Sequence, residues 1–182
     1  MALTDSAVVI PHAGHIYIAP VATAAPSDPS APADPWVEIG HTSRDEGLTI
    51  TRSGGDSEVL GSWQNPSLRE RRDPTSWAIT FQLLQVDTLN FELYFGQAAT
   101  LADGAFGVNA SATPTEHALY IRIVEGADEV GLYIPRASIF ADDDVTVDPE
   151  NFLSFPVRAT LLQNSTDPIM TWLADTISGP AA

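Results

Sequence analysis

Gly55-Asp56-Ser57 puts a hydroxyl nucleophile beside a carboxylate at a glycine turn, the residue types a serine esterase needs. That chemistry also demands a tight turn straight after a strand, a base histidine and an oxyanion hole. Ser57 lies inside a long irregular stretch, and no Asp-x-x-His pair follows near the C-terminus, so a plain turn is expected. Asp142, Asp143 and Asp144, with Asp148 and Glu150, have the oxygen ligands calcium prefers. A calcium loop requires alternate ligands, a glycine at position six and a glutamate at twelve, which this run does not provide. It reads as a solvated acidic turn. His12 and His15 stand three apart without a third ligand, and His41 and His117 are isolated. There is no phosphate-binding glycine loop and no paired-carboxylate motif. With no cysteine, thiol catalysis, disulfides and Cys-based zinc sites are excluded. The expectation is a protein that is no enzyme, with no catalytic residue, no cofactor and no metal.

The remaining chemistry is that of an interface. The stretch RSGGDSEVLGSWQNPSLRERR (52–72) holds Val59, Leu60 and Trp63 among glycines and a proline. It also holds Arg52, Arg69, Arg71 and Arg72, half of the eight basic residues in a chain of net charge −16. A large ring with forked donors beside it has the composition of an interface anchor. Trp63 turned back onto its own core is the plainer alternative. Every basic residue is arginine, a planar fork suited to carboxylate pairing. The acidity argues against a protein that grips nucleic acid or an anionic membrane.

These residues need a scaffold, and the chain offers strands. Ile16 and Ile18 alternate with His15 and Tyr17; Leu48 and Ile50 with Thr49 and Thr51. Trp77, Ile79, Phe81 and Leu83 fall in phase, as do Leu119, Ile121 and Ile123, and Leu153, Phe155, Val157, Ala159 and Leu161. Such period-2 patterns, rich in β-branched and aromatic residues, predict strands. Pro135 and Pro156 interrupt two of them, which predicts edges or bulges. One helix is expected over 87–96, with Asp87 as its N-cap and Gly96 at its end. It is too short to stand alone in water, so it must lie on a sheet. The fold class expected is all-β, two packed sheets or a barrel with one covering helix. Residues 21–35, rich in Pro, Ala and Ser, predict an extended solvated connection. The segment 53–74 exceeds the usual ceiling of about 12–15 residues for a structureless loop. The length suits a single domain over 1–182, with no apolar run of membrane-spanning length and no signal-peptide pattern at the start.

In order, the blocks GHIYIAP, WVEIGHTSRDEGLTI, GGDSEVLGSWQNPSLR, TFQLLQ, LNFELYFG, YIPRASIF and NFLSFPVRATLL run from about Gly14 to Leu162. This series resembles the major tail protein, or tail tube protein, of siphoviruses infecting actinobacteria. The resemblance implies a two-sheet β-sandwich with a helix and a long inter-strand loop. It further implies a virion structural protein, assembled in the host cytoplasm into stacked hexameric rings that form the tail. DNA passes through the lumen at ejection without sticking. The implied partners are other copies of the chain, a tape-measure protein, a tail terminator and distal tail proteins. No membrane is involved. In such proteins the long loop reaches neighbouring subunits, which maps here onto Val59, Leu60, Trp63, Arg69, Arg71 and Arg72.

Flanking arms are expected at 1–13 and 165–182, the second offering Ile169, Met170, Trp172 and Leu173 to another subunit. Glu46, Glu116, Glu125, Asp128 and Glu129 flank predicted strands and are the candidates for an acidic lumen, with an outward solvated face as the alternative. A different function on the same fold would be a virion-associated β-sandwich adhesion or carbohydrate-binding module.

Overall fold

The computed structural model describes residues 8–98, 101 and 104–177. Strands β1 (Ala13–Ala19), β2 (Val37–Glu38) and β3 (Leu48–Gly54) are followed by a pair, β4 (Ser57–Leu60) and β5 (Arg69–Arg72). Then come β6 (Thr75–Leu83), helix α1 (Thr88–Phe95), β7 (Thr115–Glu125), β8 (Asp128–Ala141), β9 (Phe155–Leu161) and β10 (Thr171–Leu173). The main sheet is antiparallel, in the order β2-β1-β7-β8-β9-β6-β3, with β10 added to β8. It is an all-β fold whose sheet is not closed.

The alternation read in the sequence is the force that curls the sheet. Ile16 and Ile18 on β1 and Ile79 and Phe81 on β6 belong to one buried cluster, although three strands separate their own in the sheet order. The sheet therefore folds over on itself and packs as a sandwich, with Leu119, Ile121, Ile134, Ile139 and Val157 filling the interior. The segment after β2 ties the two layers: Ile39 N–H donates to Ile16 O at 3.0 Å, and Ser43 N–H to Gln82 O at 3.0 Å.

The bend comes at Pro135. Opposite Ala118 on β7, two residues of β8, Pro135 and Arg136, occupy the space of one, so the register shifts between His117 and Leu119. A bulge of this kind bends its strand. The first half of β8 consequently pairs with β10 and the second half with β9. Pro156 needs no bulge. It lies on β9 just beyond the end of β8, whose pairing begins one residue later at Val157.

A second, smaller cluster covers the outer face. Trp36 meets Tyr120 edge-on at 6.1 Å and Tyr133 at 6.2 Å, with Ala19 and Ala118 beneath. The expected connection, residues 21–35, contains no strand or helix. They are mostly exposed, yet Tyr133 donates its hydroxyl to Thr23 O at 2.6 Å and Tyr120 to Pro29 O at 3.4 Å. The segment is pinned to the sheet because one buried and one half-buried phenol need acceptors.

The helix stands where the pattern put it. Asp87 accepts from Asn90 N–H at 2.9 Å, and Gly96 closes the C-terminus in the left-handed region at φ 63°. A side chain at Gly96 would collide with Thr113 O, so the position needs glycine twice over. Asn90 is fully buried, and its amide donates to Gln85 O and to Asp87 Oδ2. Asp87→Ala removes both the cap and a partner of a buried amide. We expect a loss of about 1–2 kcal/mol, read as a lower urea midpoint at unchanged slope.

Candidate functional site

The stretch 53–74 is not a structureless loop. β4 pairs with β5 in a two-stranded sheet of its own, in the register Ser57↔Arg72, Glu58↔Arg71, Val59↔Glu70 and Leu60↔Arg69. It prolongs the β3–β6 hairpin beyond the body as an arm. All eight of its strand residues are exposed. A strand that buries neither face has no reason to alternate apolar and polar residues, so the pattern gave no sign of it. The usable signal was the opposite charges Glu58 and Arg71, which end up facing each other across the strands.

The joint between body and arm is built from Gly54 and Gly55 at φ 75° and 80°, facing Pro74. A Cβ on Gly54 would sit 2.3 Å from Pro74 O, closer than any real contact. Beyond the joint, Asp73 N–H donates to Asp56 O at 3.0 Å, and Leu68 N–H to Leu60 O at 3.0 Å near the tip. The four residues of β4 carry the arm about 10–13 Å outward at about 3.3 Å per residue, and Trp63 lies in the turn beyond them.

Trp63 stands at the tip with 102% of its reference surface exposed, and Val59 and Leu60 are 58% and 45% exposed. The ring does not turn back onto its own core. Arg71 meets Asp73 at 3.4 Å and Arg72 meets Glu70 at 2.9 Å, each only two residues away and exposed. Arg69 makes no ion pair among the described residues. Isolated two-stranded hairpins are marginal in water. The arm thus holds a bare indole at its tip, apolar surface that its own hairpin does not cover.

Comparison of the whole chain with known proteins identifies its family. A family model described as "Phage tail tube protein" matches residues 1–182. The chain belongs to that family. It is 34% identical to the major tail protein Gp23 of Mycobacterium phage D29, over 98% of this chain and 96% of the relative. It is 33% identical to the major tail protein Gp23 of Mycobacterium phage L5, over 95% and 93% respectively. This tail tube protein is therefore a structural component of the virion tail.

The other residues singled out in the sequence are dispersed over the tail tube fold. Near the C-terminus, β10 lies on the subunit's own β8, with Trp172 opposite Leu132. Met170 joins the main core and Leu173 the outer cluster; Ile169 is half-buried, and Trp172 remains 43% exposed. Toward the N-terminus, Ile10 N–H donates to Glu125 at 2.6 Å and His12 N–H to Val124 O at 3.1 Å, so residues 10–12 extend along the end of β7. Residues 1–7 and 178–182 of the two expected arms lie outside the described residues.

Among the acidic candidates, Glu116 receives both Arg136 nitrogens at 2.9 Å, and Glu129 is forked by Arg122, whose Nε donates at 3.0 Å. Glu46 and Asp128 are exposed and make no ion pair among the described residues; Glu125 is half-buried, held by the Ile10 amide. Hydrogen bonding from Arg122 first, and its charge second, holds the Glu129 carboxyl below the ordinary glutamate value of 4.5. Because the folded value is the lower one, the pair stabilises the fold above pH 4.5, and this stabilisation fades as pH falls through the depressed value. Glu116 acts with the same sign through Arg136. We expect Glu129→Gln to flatten the acid side of a melting-temperature profile relative to the native chain.

Ser57 opens β4 opposite Arg72 and has no histidine in hydrogen-bond contact among the described residues. Asp143 accepts from Asp144 N–H, and Asp148 from Glu150 N–H and Asn151, so these carboxylates serve the turn itself. Among the described residues no group of three or more His, Asp or Glu is placed to hold a metal. No helix there is long and apolar enough to cross a membrane.

Proposed function

We propose that this protein assembles into hexameric rings that stack into the hollow tail, each subunit extending its arm onto a neighbour, and that DNA leaves through the lumen. The observation that carries this reading is the exposed arm, 57–72, with Trp63 bare at its tip. Family membership supports it, since a tail tube is made of repeated copies. Val59, Leu60 and Trp63 are the apolar anchors; Arg69, Arg71 and Arg72 are the donors toward an acidic neighbour.

Like charge opposes such an assembly, since each copy carries −16. Two exposed unit charges 10 Å apart repel by roughly 0.4 kcal/mol in water before screening. A single buried anchor at an interface contributes about 2 kcal/mol or more, so a few anchored contacts outweigh many screened repulsions. The acidity then serves the lumen, where carboxylates keep phosphate from adhering. Glu46 and Glu125 are the candidates for that wall. Glu116 and Glu129 are already neutralised by arginines of the same chain. The tape-measure, terminator and distal tail proteins are the further partners of this reading, and the segments 1–13 and 165–182 are its additional contacts.

Electron microscopy of the purified protein at rising concentration tests it. Rings or tubes with six-fold symmetry are expected; a monomer that persists at high concentration refutes it.

A further inference from the structure

If the arm is an inter-subunit contact, its receiving surface belongs to this same sequence. We propose that the cleft beside β10, bordered by Asp28, Asp128, Glu129, Asp175, Trp172 and Ile177, receives the arm of a second copy. This assignment rests on the reading of the arm given above and adds where it lands.

The choice follows from charge, surface and size. The arm is the basic part of an acidic molecule: over 57–72 it carries Arg69, Arg71 and Arg72 against Glu58 and Glu70, a net of plus one in a chain of net −16. Its donors are spare or weakly engaged, Arg69 free of ion pairs among the described residues and the other two held only by exposed near neighbours. The cleft offers the opposite. Asp128 and Asp175 make no ion pair among the described residues, and Asp28 is engaged within its own turn, by Ser30 and Ala31. Beside these carboxylates lie Trp172, 43% exposed, and Ile177, 56% exposed, which leave apolar surface in water within the same subunit. An apolar surface with an acidic rim thus matches an apolar tip with a basic stem.

Two other grooves match less well. The one between β1 and β3 is apolar, but it is bordered by Arg44, His12 and His15, which do not attract an arginine-bearing arm. The one at Glu46, Asp142 and Asp143 is acidic, yet it measures about 180 Å³, against about 720 Å³ for the cleft beside β10. An indole with its flanking leucine and valine needs the larger space. Asp128, taken as a lumen candidate from the sequence, is on this assignment a partner of the arm instead.

Absence of cysteine from the chain makes the test direct. Gln64→Cys beside the indole and Thr176→Cys in the cleft are both exposed positions, so neither disturbs the core. Assembled under tube-forming conditions and treated with a short bis-maleimide, the double variant is expected to give a ladder of covalent multimers on a denaturing gel. Each single variant is expected to give none. A parallel double variant, Gln64→Cys with Ser43→Cys, probes the groove between β1 and β3. A ladder from that pair and none from the first overturns the cleft assignment while leaving the arm as an interface element. Tubes without a ladder from either pair overturn it as well. If the unmodified protein forms neither rings nor tubes, the parent reading fails and this one with it.

A charge exchange gives an independent readout. Asp128→Arg with Asp175→Arg is expected to raise the concentration needed for assembly about tenfold or more. Adding Arg69→Glu and Arg71→Glu is expected to restore it in part. A restoring pair that fails to restore, in protein with an unchanged circular dichroism spectrum, counts against the cleft.

Discussion

Replacing Trp63 with alanine is expected to abolish tube formation at concentrations where the native chain assembles, with the fold intact. The indole is fully exposed among the described residues, so its removal is expected to cost the monomer little. In the proposed assembly the same ring becomes a buried anchor, and truncating an anchor of this kind costs about 2 kcal/mol or more per contact. With every 1.4 kcal/mol worth tenfold, the critical concentration rises by about 30-fold or more. Since each copy contributes one arm, the penalty is repeated at every addition to the tube. Light scattering against protein concentration measures it, with thermal melting as the control. A variant that assembles like the native chain would remove Trp63 from the interface.

The opposite dissociation is expected for Leu119→Ala. Leu119 is fully buried on β7, opposite Ile134 at the register shift where β8 bends. Truncation leaves a cavity between two layers that the bend holds together. The expected loss is about 2–5 kcal/mol. For a domain of this size each kilocalorie shifts the melting temperature by about 2–4 °C, so a fall of roughly 4–20 °C is expected. The arm lies outside that core, and its surface should be unchanged below the transition. Assembly at low temperature is therefore expected to persist, at reduced yield, in the folded fraction. Trp63→Ala and Leu119→Ala thus separate the two demands on the chain.

The body was legible in the sequence because its strands bury one face. Ile16 with Ile18, Ile79 with Phe81, and Val157 with Ala159 alternate as the buried residues of the structure do. The helix was legible to its caps, because Asp87 and Gly96 have local reasons to be where they are. Pro135 announced a bulge correctly, whereas Pro156 was accommodated simply by lying past the end of the neighbouring strand. The arm was hidden as a hairpin. Its pairing rests on backbone bonds and charge, and periodicity responds only to burial. The importance of the segment was nevertheless visible, in the conflict between its composition and its surroundings. The fate of Met170 and Leu173 was not visible, because a three-residue strand laid on the edge of β8 follows from tertiary packing alone.

The glycine joint at residues 54 and 55 divides the molecule into two parts that share almost no side-chain packing. Substitutions in 57–72 can accumulate without a penalty in the sandwich, and the sandwich can drift without misfolding the hairpin. With the arm as the proposed contact between copies, a phage lineage can in this way change which copies recognise one another, and so keep its tails from mixing with those of a co-infecting relative, while retaining one inherited scaffold.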